Sequence, residues 1–117
     1  MSDGMRYHQG VAAEEAVIRH YTALGAEVLG TRCRTAAGEI DLVFKRAGEV
    51  LFVEVKARAR HVAAAASLSA RQQARIFAAA EIWLAEAGYS TLTPCRFDVA
   101  TVDGQGTVEV LENAFGG

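Results

Sequence analysis

The sequence predicts an α/β domain with the element order αβββαββ. Three observations carry this. Two runs rich in β-formers, residues 38–44 and 50–56, flank the short connection Arg46-Ala47-Gly48-Glu49, as an antiparallel hairpin requires. Two segments of helical spacing each stop at a glycine, Gly25 and Gly88. A last pair of β-rich runs, 96–102 and 107–111, is divided by an Asp103-Gly104 turn signal. A chain of 117 residues fits one domain and can bury a single core without staples.

The first helix is expected over 10–24, with Val11, Ile18, Tyr21 and Leu24 near one stripe and Gly25 as its stop. Residues 1–9 are polar and expected to be loose, as are 113–117. Residues 26–34 set Val28, Gly30 and Arg32 against Leu29, Thr31 and Cys33, the alternation of a strand, and an Ala36-Ala37-Gly38 turn follows. Strands over 39–45 and 50–58 complete a meander. In the second of these, Leu51, Val53 and Val55 face one way and Phe52, Glu54 and Lys56 the other. The alanine-rich residues 59–68 fit a loop or a weak helix equally. Ser69 is the N-cap of a second helix that reaches Ala87, buries Ile76, Ala79, Ala80, Trp83 and Leu84, and stops at Gly88.

Composition narrows the function classes. About half the residues are hydrophobic and 22% are charged, the profile of an ordinary globular domain. A net charge of -2 argues against strong non-specific attraction to nucleic acid or acidic membranes, although arginines such as Arg32, Arg34, Arg58, Arg60, Arg71 and Arg75 can act locally. Cys33 and Cys95 are too few for a disulfide framework or a zinc site and read as reduced thiols in a cytoplasmic protein. No apolar run approaches a signal peptide's core or a bilayer span, so no membrane partner is expected.

Chemistry concentrates in the hairpin. Asp41 and Glu54 interrupt apolar strands with twelve residues between them, a spacing that an antiparallel hairpin brings side by side. Charges in such strands are costly unless paired or holding a cation. Two carboxylates suffice for a hard cation such as magnesium, which keeps waters and takes up substrate phosphate, and the Val55 carbonyl is available as a further ligand. Lys56, on the same face as Glu54, is placed to stabilise developing charge or to handle the nucleophile's proton. The reaction implied is metal-assisted phosphodiester hydrolysis. The competing reading is a structural ion pair between strands.

These blocks also carry a resemblance. Gly38-Glu39-Ile40-Asp41-Leu42-Val43, Phe52-Val53-Glu54-Val55-Lys56-Ala57-Arg58 and Arg96-Phe97-Asp98-Val99 resemble the YraN-like proteins, a bacterial family of the restriction-endonuclease-like superfamily related to Holliday-junction resolvases. The resemblance covers roughly residues 9–112. It implies a mixed central sheet flanked by helices. It also implies Asp41, Glu54 and Lys56 as the catalytic D...ExK positions, magnesium or manganese as the cation, and a DNA substrate, with branched DNA by analogy. Resolvases act as symmetric dimers, which makes a homodimer the expected assembly. The superfamily adds a helix-one glutamate as catalytic residue and metal ligand. Glu14 and Glu15 compete for that place, and counting back from Gly25 favours Glu14. Nucleic-acid contacts are expected at Arg58, Arg71 and Gln72, the last standing where the family commonly has lysine. The alternative is a non-catalytic nucleic-acid- or partner-binding module on the same scaffold.

Other residues read as structure. Glu39 is expected as a solvated carboxylate at the strand edge, and Asp98 as a buried partner of Arg96 or of nearby backbone. Trp83 is expected in the core. His8, His20 and His61 lack ligand spacing, and Cys33 has no partner histidine.

Overall fold

In a computed structural model of the protein, residues 2–57 and 68–115 are described, 2–9 by their backbone alone. Arg58, Arg60 and His61 lie outside the described residues, as do the side chain of His8 and the undecided segment up to residue 67. Among the described residues the order is α1 (Ser2–Ala23), β1 (Glu27–Thr35), β2 (Gly38–Arg46), β3 (Glu49–Ala57), α2 (Ala70–Glu86), β4 (Cys95–Val102) and β5 (Val108–Leu111). This is the expected αβββαββ.

The strands form one mixed sheet in the order β1-β2-β3-β4-β5. Strands β1, β2 and β3 make an antiparallel meander, β3 and β4 are parallel, and β4 and β5 are antiparallel. The parallel pair follows from α2, because parallel neighbours need a long crossover connection. The β2–β3 turn is the two-residue Ala47-Gly48, both at positive φ (52° and 80°), the backbone that matches the twist of a tight hairpin.

The helices cover opposite faces. Val50 and Phe52 of β3 join Ile76, Ala79, Ala80 and Leu84 of α2 in one core, together with Phe97, Val99 and Phe115. Leu51 and Val53 join Ala13, Ala16, Val17 and Tyr21 of α1 in the other. The alternation expected for β3 is therefore present, and it sends Glu54 and Lys56 to the α2 side.

Both glycine stops hold. At Gly25 (φ 88°), the Ala26 N–H reaches the Tyr21 carbonyl and the Gly25 N–H that of Thr22, each at 3.0 Å. Tyr89 and Gly88 repeat this on Leu84 (2.8 Å) and Ala85 (3.2 Å). These are Schellman closures, which satisfy otherwise orphaned carbonyls.

Two expectations are corrected. Helix α1 begins at Ser2, not near Gly10, and its buried stripe is Ala13, Ala16, Val17 and Tyr21. Leu24 lies beyond the last turn and is 50% exposed. Small alanines let the helix lie close to the sheet, and a search for large apolar side chains overlooks them. Residues 113–115, expected to be loose, are tied down. The Asn113 N–H donates to Asp98 Oδ1 (2.9 Å), the Ala114 N–H to the Phe97 carbonyl (2.7 Å), and Phe115 is buried. Among the described residues no helix is long and apolar enough to cross a membrane.

Candidate metal centre

The sheet splits at the candidate site. Backbone pairing between β2 and β3 runs from Arg46 opposite Glu49 to Leu42 opposite Val53, and stops there. Beyond that point β2 continues against β1, and β3 continues against β4. The next residues on the two diverging strands are Asp41 and Glu54, so the expected juxtaposition holds. The pleat is also interrupted at Asp41: Ile40 belongs to the α2-side core and Leu42 to the α1-side core, although residues two apart on a regular strand share a face.

Side chains replace the lost ladder. The Val55 N–H donates to Asp41 Oδ2 at 2.8 Å, and the Asp41 N–H donates to Glu54 Oε2 at 3.4 Å, a weak bond. Each carboxylate thus spends one oxygen on the fork itself. Among the described residues nothing donates to Asp41 Oδ1 or Glu54 Oε1, which leaves one oxygen on each half-buried group for another ligand.

Both carboxyls are pushed up from their ordinary values. For Asp41 the main cause is burial, opposed by the Val55 N–H; the charges of Glu14 and Glu39 push the same way as burial, and Lys56 opposes them. For Glu54 burial comes first and the Asp41 charge second, and together they bring it up to about 8. Two converging carboxylates that resist ionising together are a donor set that a divalent cation would relieve. Among the described residues, no three of His, Cys, Asp and Glu form a ready-made cage. The set fits magnesium or manganese, which are held by one or two carboxylates plus water and phosphate, better than a cation needing an all-protein shell.

Lys56 lines a groove of about 230 Å³ beside the fork, together with Glu54, Glu39, Gly38, Gln72, Arg75, Leu68 and Ile76. Glu14, rather than the exposed Glu15, is the helix-one acid nearest the pair, since its charge bears on Asp41. Its carboxylate is held by Arg32 Nε at 3.2 and 3.3 Å. Arg32 reaches it from within β1, at a positive φ of 48°.

The helix-two residues divide. Gln72 lines the groove, but its Oε1 accepts the Ser69 N–H (2.9 Å) while its own N–H donates to Ser69 Oγ (3.1 Å), a capping box. The pattern Ser-x-x-Gln at a helix start was the signal for this. Arg71 is exposed and outside the groove, whereas Arg75, one turn on, lines it. Glu39 is half exposed and paired with Arg34 at 3.4 Å, as a strand-edge carboxylate should be.

Asp98 does not extend the site. It is fully buried and accepts from Arg96 Nε (2.8 Å) and Nη2 (3.0 Å) and from the Tyr21 hydroxyl (2.7 Å). Trp83 packs edge-on against Phe52 at 5.8 Å. Burial pushes the Cys33 thiol up, which disfavours its nucleophilic form.

Comparison with known proteins follows the same residues. The profile described as "Uncharacterised protein family UPF0102" matches residues 13–102. A UPF0102 protein of Cereibacter sphaeroides is 50% identical over 115 residues, covering 98% of this chain and 98% of that one. One from Ruegeria pomeroyi is 50% identical over 116 residues, covering 98% and 94%. Another, from Azorhizobium caulinodans, is 41% identical over 107 residues, covering 92% and 82%.

Proposed function

The chain belongs to the uncharacterised protein family UPF0102, and on that premise we propose that it is a magnesium- or manganese-dependent nuclease that hydrolyses phosphodiester bonds in DNA. The observation that carries this reading is the fork itself. Two half-buried carboxylates converge where the β2–β3 ladder stops, each with an oxygen that has no donor among the described residues, and Lys56 lies in the adjoining groove. A structural ion pair would not need the ladder to open.

Asp41 and Glu54 would hold the cation, which when bound supplies a Lewis acid for the phosphoryl oxygen and acidifies a water. Asp41 also orients β3 through the Val55 N–H, so the fork keeps its shape while one oxygen serves the cation. Lys56 stabilises negative charge developing on the phosphate or helps orient or deprotonate the attacking water. Glu14, steadied by Arg32, positions the attacking water. Branched DNA and an isologous dimer fit this reading, because two symmetric cuts need two sites.

One observation favours the alternative of a binding module without chemistry: Gln72, a candidate substrate contact, is engaged in the helix cap. Cleavage separates the two. Incubation with branched and flapped DNA in magnesium or manganese is expected to give cuts that Asp41→Ala and Glu54→Ala abolish while circular dichroism stays native. DNA binding that survives both substitutions, with no cleavage across metals and substrates, would select the binding module.

A further inference from the structure

We propose that Arg75 grips a phosphate of the substrate strand adjacent to the one at the carboxylate fork, making the groove beside α2 the track of a nucleic-acid strand. This rests on the hydrolytic reading above and names a contact that it lacks. Four observations converge on Arg75.

The groove is continuous from Glu54 and Lys56 to Arg75, with the buried side chains of Leu68 and Ile76 in its lining. The Arg75 stem lies against a glycine. Gly38 opens β2 at φ +147°, and a Cβ on it would meet Arg75 Cγ at 3.1 Å and Cδ at 3.2 Å. The absent side chain lets the arginine lie across the start of the strand that carries Asp41.

Among the described residues the charge of Arg75 also has no ion-pair partner. Glu39 lines the same groove, yet its partner is Arg34 across the β1–β2 register. Finally, the neighbouring Gln72 is used by the helix cap, and Arg71 lies outside the groove. An exposed guanidinium whose stem runs against Gly38, and which has no ion-pair partner among the described residues, matches the two-oxygen edge of a phosphate.

The test uses the full chain and a fluorescein-labelled single-stranded oligodeoxynucleotide, with calcium replacing magnesium so that the strand stays intact. Anisotropy is read across a salt series. Arg75→Ala is expected to weaken binding about tenfold or more. It should also flatten the slope of log affinity against log salt by about 0.7, the signature of one lost phosphate contact on a single strand. A merely structural role over Gly38 would not move that slope. Arg75→Lys should keep the slope and lose affinity, and Arg19→Ala, on the exposed side of α1, should leave both unchanged.

Unchanged affinity and slope in Arg75→Ala would overturn the proposal. So would equal weakening by Arg19→Ala, or a wild-type chain that binds no strand. Loss of binding in Arg75→Ala from a wild-type chain that cleaves nothing would uphold the phosphate grip and reject the hydrolytic reading.

Discussion

Asp98 shows what a buried charge requires in this fold. It is fully enclosed, and four donors meet it: the Tyr21 hydroxyl, two nitrogens of Arg96 and the Asn113 N–H. Asp98→Ala would leave the Tyr21 hydroxyl and the Asn113 N–H without their acceptor and Arg96 with Glu112 at 3.5 Å, and about 3 kcal/mol of stability should be lost in urea titration. Tyr21 gives the pH dependence. Burial, and then its hydrogen bond to Asp98, raises its hydroxyl above the ordinary value of 10.0. The folded state therefore keeps a proton that the unfolded chain releases. Its contribution is fully present below pH 10 and declines as pH rises beyond it. Tyr21→Phe should remove that alkaline decline from melting curves. Asp41 and Glu54 differ from Asp98 in kind, since each keeps an oxygen without a donor among the described residues. In the nuclease reading, Glu14→Gln should lower cleavage while Glu15→Gln, on the exposed side of α1, leaves it unchanged.

At the scale of elements, the sequence was legible wherever a local rule acts alone. Gly25 and Gly88 end their helices by Schellman closures, and Ser69 caps α2. Ser69→Ala should cost about 1 kcal/mol in thermal or urea denaturation, because it removes half of a reciprocal cap. Legibility ended where packing between elements decides. The buried face of α1 rests on Ala13 and Ala16, whose value lies in close approach to the sheet. Phe115 is held by a fold-back over β4, which a short polar-looking tail does not announce. Arg75 stood among several arginines in the sequence, and its place in the groove and its passage over Gly38 distinguish it from Arg71.

The whole molecule is a sheet opened at one point. Antiparallel β2 and parallel β4 both claim β3, and the sheet serves β4 to the end of the strand while β2 turns away. Hairpin spacing alone placed Asp41 opposite Glu54, so the pairing of the acids was readable. The opening was not, because it depends on Asp41 taking the Val55 N–H that a continuous ladder would have used. Helices pack on both faces of the sheet that carries the fork, and the α2 side leaves the groove through which substrate would reach it. The central claim is that this fork exists to hold a divalent cation. Crystals soaked in manganese test it most directly: an anomalous peak between Asp41 Oδ1 and Glu54 Oε1 is the result expected. Well-ordered carboxylates with no peak between them, the two oxygens closed onto Lys56, would contradict it.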